Sequence, residues 1–108
     1  MLAQGQLAAT AGAIYTVGAA TTARVKTIIL FNAGSAANLV KLYAVPNASG
    51  AVGTAAAANQ FYEQSIPSKT TVEFSPAFPL EYSAQNDTIQ GQAAIANNVT
   101  YLVNGVES

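Results

Sequence analysis

Turn-forming residues interrupt this chain so often that no stretch between them is long enough, or suitably spaced, to sustain a helix. What lies between the interruptions alternates with a period of two, the repeat of an extended strand. Val25, Thr27, Ile29 and Phe31 fall on one face of such a segment, and Lys26, Ile28 and Leu30 on the other. Both faces are largely apolar, which predicts a central strand covered on both sides. Asn32 to Asn38 supplies turn residues, and a second run follows from Leu39 to Val45. There Val40, Leu42 and Ala44 alternate with Leu39, Lys41, Tyr43 and Val45. Pro46 closes the run, because proline cannot donate to a ladder.

Further along, Phe61–Ile66 and Lys69–Ser75 read as a hairpin about Pro67-Ser68, with Ile66 facing Lys69, Gln64 facing Thr71 and Tyr62 facing Glu73. Ser75 to Leu80 carries two prolines and reads as a bend at a sheet edge or corner. Gln85-Asn86-Asp87 is a turn before a strand at Thr88–Ile95, and Asn97-Asn98 tightens a last hairpin into Val99–Val106. Two weaker strands, Leu2–Ala8 and Ala13–Val17, precede the core; residues 1–16 form an edge strand or an arm laid on a partner. About eight short strands and no helix predict one all-β domain over residues 1–108. The expected architecture is an antiparallel two-sheet sandwich, jelly-roll or immunoglobulin-like, ahead of an open barrel.

Charge is the second constraint. Only 8% of the 108 residues are charged, against about 25% in an ordinary soluble domain, while 51% are hydrophobic. Small, weakly hydrated residues must therefore cover the outside. Interface cores are likewise poor in Lys, Glu and Asp, so the composition points to a chain that sits against other chains. Arg24, Lys26, Lys41 and Lys69, with a net charge of −1, are too few to track a nucleic-acid backbone. The densest apolar run, Ile28–Phe31, falls far short of the ~20 residues that span a bilayer. Met1 to Gln6 lacks the basic start and apolar stretch of a signal peptide, so a cytoplasmic origin is expected.

Catalytic parts are scarce. Without His or Cys there is no standard triad, thiol nucleophile or imidazole base, and no thiolate metal site. Glu63 and Glu73 lie on neighbouring predicted strands, but the hairpin register turns them to opposite faces, and a glycosidase pair must converge. Asn86-Asp87 offers too few oxygens for calcium and reads as a capped turn. Gly50 to Thr54 has glycines but no following lysine or helix for a phosphate cradle. The expectation is a chain with no catalytic site, cofactor or metal.

Asn47 to Asn59 is the one low-complexity stretch, and Ala55–Ala58 is too short to hold more than a helical turn. It is either a mobile tip or a contact loop whose small side chains let a neighbour approach closely. Phe61 and Tyr62 at its exit, with Tyr82, keep a sugar-binding platform open as the alternative, although the chain has no Trp. The candidate contact residues are Leu2, Leu7, Asn47, Val52, Thr54, Ala56, Phe61 and Tyr62.

Several segments together resemble a group of small virion proteins of tailed bacteriophages. Tyr15-Thr16-Val17 and then Thr21 to Asn32 match a "TxAxVKSIxLxN"-like strand, and Leu42-Tyr43-Ala44-Val45-Pro46 an "LYxVP"-like one. Asn86 to Ala93 resembles a "GDTIQxxA"-like strand, and Val99 to Glu107 the closing "VxxxVxGVE"-like one. The resemblance spans most of residues 15–107 and departs at the Ala-rich loop 47–59 and at the two-proline bend. It implies a structural particle component. Capsid decoration (cement) proteins of this kind are similar in size and β content and commonly trimeric. The implied partners are the major capsid protein and further copies of the chain, and the implied location is the virion, assembled in the host cytoplasm.

Overall fold

The alternating runs become nine strands in a computed structural model that describes residues 3–19, 22–74, 80–82 and 86–107. The first half gives β1 (Ala3–Gln6), β2 (Gly12–Thr16), β3 (Ala23–Asn32) and β4 (Asn38–Val45). The second half gives β5 (Gln60–Ile66), β6 (Thr70–Phe74), β7 (Leu80–Tyr82), β8 (Thr88–Ala93) and β9 (Val99–Glu107). One antiparallel sheet runs β1-β9-β3-β6, with β7 continuing the β6 edge along β3; the other runs β2-β8-β4-β5. The two sheets form the expected sandwich.

Partners are nested. β4 pairs with β5, β3 with β6 and β7, β2 with β8, and β1 with β9. The chain is therefore one long antiparallel ribbon, doubled about residues 46–59 and rolled so that its layers alternate between the sheets. That is the order of a jelly roll. An immunoglobulin-like sandwich would instead seat strands A, B, E and D together, and this chain does not.

Both expected hairpins are corrected by this topology. β5 and β6 lie in different sheets, as do β8 and β9, so Pro67-Ser68 and Asn97-Asn98 are crossings between layers. Lys69 and Asn97 adopt left-handed backbone (φ 57° and 65°) at these corners. Ser68 Oγ donates to the Gly34 carbonyl (2.6 Å), and the Asn97 N–H to the Leu7 carbonyl (2.9 Å). The same residue types serve tight hairpins and layer crossings. Ile66 and Val72 both reach the core, but from opposite sheets. Residues 75–79 of the two-proline bend lie outside the described residues; Leu80 opens β7, an edge segment that the period-two reading missed.

β3 is central, and among the described residues only one of its faces packs into the core between the sheets. Its register against β9 shifts between Val25 and Thr27, so Lys26 is an extra residue and the faces exchange there. Val25 therefore shares the buried face with Ile28 and Leu30, while Thr27, Ile29 and Phe31 face outward and are half-buried. Gly105 makes the shift possible: a Cβ at that position would overlap the Arg24 carbonyl oxygen. Val25, Ile28, Leu30, Val99 and Val103 close against Val40, Leu42, Ile66, Ile89 and Ala93, with Leu7 and Ile14 alongside. Each fully buried Leu, Ile or Val side chain contributes about 1.5–3 kcal/mol.

Candidate functional site

Along β4 the outward positions are Leu39, Lys41, Tyr43 and Val45, paired on β8 with Gln92 opposite Lys41, Gln90 opposite Tyr43 and Thr88 opposite Val45. An outward face should be wet, yet exposure falls along the strand to 7% at Tyr43 and 2% at Val45. Thr88 and Gln90 are equally buried, at 1% and 5%. The cause is segment 46–59, which turns back after Pro46 and lies over that end of the sheet as a strap.

The strap is seated by a close approach and by polar ties. A Cβ on Gly53 would stand 2.5 Å from the Pro46 carbonyl oxygen and 3.0 Å from a Val45 methyl, so only glycine lies this flat. Gln90 Nε2 donates to the Gly53 carbonyl (2.9 Å) and to Thr88 Oγ1 (3.0 Å), which satisfies the buried amide. Asp87 Oδ1 accepts from the Asn47 N–H (2.8 Å) and the Asn47 side-chain amide (3.1 Å). Asn86 Nδ2 donates to the Gly50 carbonyl (2.7 Å). Within the strap, Ala48 and Ala51 exchange two backbone hydrogen bonds around Ser49-Gly50, both with positive φ, the geometry of a two-residue hairpin turn. A single 3-10 turn, Ala57–Asn59, then delivers β5.

The sequence-derived contact residues divide accordingly. Val52 (50% exposed), Thr54 and Ala56 lie together on the strap with their side chains exposed. Asn47 is half-buried and engaged with Asp87, so it fixes the strap in place. Leu7 is 1% exposed inside the core and is removed from the contact surface; its apolar side chain serves the fold. Leu2 lies outside the described residues. Phe61 and Tyr62 are half-buried and pack on Phe74 of the facing sheet, at ring-centroid distances of 5.4 and 5.7 Å. Those rings bridge the sheets at one side of the sandwich. The Tyr82 side chain is outside the described residues.

Glu63 and Glu73 stand on the outer faces of opposite sheets, Glu63 beside Lys41 (3.8 Å) and Glu73 opposite Ile29, so these carboxyls do not face one cleft. Asn86, with left-handed φ of 68°, and Asp87 spend their side chains on the strap. Burial pushes the Tyr62 hydroxyl above its ordinary pKa near 10, and among the described residues that oxygen has no hydrogen-bond partner. Gly53 and Gln90, which seat the strap, were missed from sequence. The available signal was Tyr43 and Val45 at outward positions, where apolar residues call for a cover.

Among the described residues no helix is long and apolar enough to cross a membrane, and no three acidic side chains gather as metal ligands. No protein-family model and no curated protein matches the chain.

Proposed function

We propose that this chain is a structural virion protein of a tailed phage, a capsid decoration protein that braces neighbouring subunits of the shell. Its partners are the major capsid protein and further copies of itself, and its place is the assembled particle. The observation that carries this reading is the strap: an uncharged surface of Val52, Thr54 and Ala56, held in a defined shape by its ties to the sheet. A rigid, weakly charged surface loses little freedom on docking, and a repeating shell multiplies each weak contact. Jelly rolls also occur among viral capsid proteins, and the strand motifs resemble small phage virion proteins. Jelly rolls serve lectins too, but here Phe61 and Tyr62 pack on Phe74, which leaves the sugar-platform alternative without a favouring observation.

The test is co-sedimentation with shells of the phage that carries the gene, stripped of this protein. Saturable binding at a fixed ratio to the capsid subunit is expected, weakened at least about tenfold by Val52→Glu with Ala56→Glu. Cryo-EM density for the chain in the tail alone would overturn the decoration assignment.

A further inference from the structure

The strands that end the two sheets are unequally guarded. A free edge presents unpaired N–H and C=O groups that template another strand, and natural edges are blunted with charge, proline, bulges or shortness. β5 carries Glu63 and has a register shift at Leu42/Tyr43. β6 starts directly after Lys69 and carries Glu73, and β2 shifts register between Ala13 and Tyr15. β1 has no charge, no proline and an unbroken register from Ala3 opposite Val103 to Gln6 opposite Thr100. Its one guard is its length of four residues. No charged side chain precedes Arg24 in the sequence.

β1 is also held in place. Leu7, directly after it, is buried, donates its N–H to the Val99 carbonyl (2.9 Å) and accepts from the Asn97 N–H (2.9 Å). That bond sets the phase of the ladder: Leu7 and Gly5 turn their main chain toward β9, while Gln4 and Gln6 turn theirs outward. Among the described residues no strand lies beyond them.

We propose that β1 pairs edge to edge with a second copy of this chain, continuing the sheet across the contact. A second copy fits because the edge is uncharged, so identical surfaces meet without like-charge repulsion. A charged peptide would find no opposite charge on the strand. Leu102 and Thr100, opposite Gln4 and Gln6 on β9, extend the uncharged surface beside the ladder. The inference stands on the edge alone and is independent of the virion reading.

Sedimentation equilibrium of the full chain over a wide concentration range tests it, with thermal melting to check that each variant folds. A defined oligomer is expected. Gln4→Lys with Gln6→Lys, and separately Gln4→Pro, should weaken it at least about tenfold. The proline removes an outward N–H without costing a β1–β9 bond. Ser65→Lys on the β5 edge should leave association unchanged. A monomer at every concentration, an oligomer untouched by the folded β1 variants, or equal loss with Ser65→Lys would overturn the proposal.

Discussion

Replacing Gly53 with alanine tests whether the strap is seated as described, because two effects of opposite sign compete. Gly53 does not use left-handed backbone, so in an open loop the substitution would stabilise the protein by about 0.4–1 kcal/mol through the unfolded chain. On the seated strap the new Cβ meets the Pro46 carbonyl oxygen at 2.5 Å. Pro46 directly follows Val45, whose main chain is paired with Thr88 on β8, so the strap must lift. Lifting breaks the Gln90–Gly53 hydrogen bond, about 1 kcal/mol, and wets much of Val45, about 1.5 kcal/mol or more. The freedom regained by the strap offsets part of this, leaving a net loss of about 1–3 kcal/mol. The melting temperature should fall by about 4 °C for each kcal/mol. Elastase, whose small specificity pocket suits the Ala and Val of the strap, reads the opening directly. If opening is fast relative to cleavage, the rate should rise about 5- to 150-fold. Wild-type melting and wild-type cleavage in the Gly53→Ala variant would mean that the strap does not rest on Val45.

Gly105→Ala should be more damaging, about 3 kcal/mol in urea titration, because the Arg24 carbonyl it meets belongs to the central ladder of its sheet and cannot move aside. Tyr62→Phe should raise stability by about 1 kcal/mol by removing a buried hydroxyl with no partner among the described residues; a loss would reveal an acceptor. The same variant should flatten the alkaline side of the stability profile. Folded Tyr62 keeps its proton above the ordinary value near 10, so as pH rises through that window the unfolded chain releases a proton that the native state retains, and wild-type stability falls. Asn32→Ala removes the donors to the Ala36 and Ile66 carbonyls (2.8 and 2.9 Å) and the acceptor of the Gly34 N–H, and should cost about 2–4 kcal/mol by calorimetry.

The strands themselves were legible because alternation is a local property: Leu39–Val45 closed by Pro46 needed nothing beyond its own residues. Pairing was not. Pro67-Ser68 and Asn97-Asn98 look the same whether the chain doubles back within a sheet or crosses to the other. The choice depends on which face of β5 or β9 finds apolar company many residues away. The faces of β3 were misread because one inserted residue, Lys26, reverses the phase, and its cause is Gly105 on another strand. The strap's lack of charge was visible in sequence, but what it covers followed only once Gln90 and Thr88 were set beside Tyr43 and Val45. Leu7 was misplaced for the same reason: an apolar residue in a weakly patterned segment reads as a contact until its neighbours are known.

The nested pairing also carries a kinetic consequence. The strap is the shortest loop that any pair must close, so β4 and β5 meet at the least entropic cost, and each later pair needs the one inside it to bring its ends together. Pairings this distant in sequence place the chain among the slow folders, in the millisecond-to-second range. Substitutions at Val40 or Gln64 should therefore slow folding, while those at Gln4 or Leu102 should mainly speed unfolding. β1 should then be the last strand to arrive, so the edge proposed for association forms only when the outermost pair closes on β9.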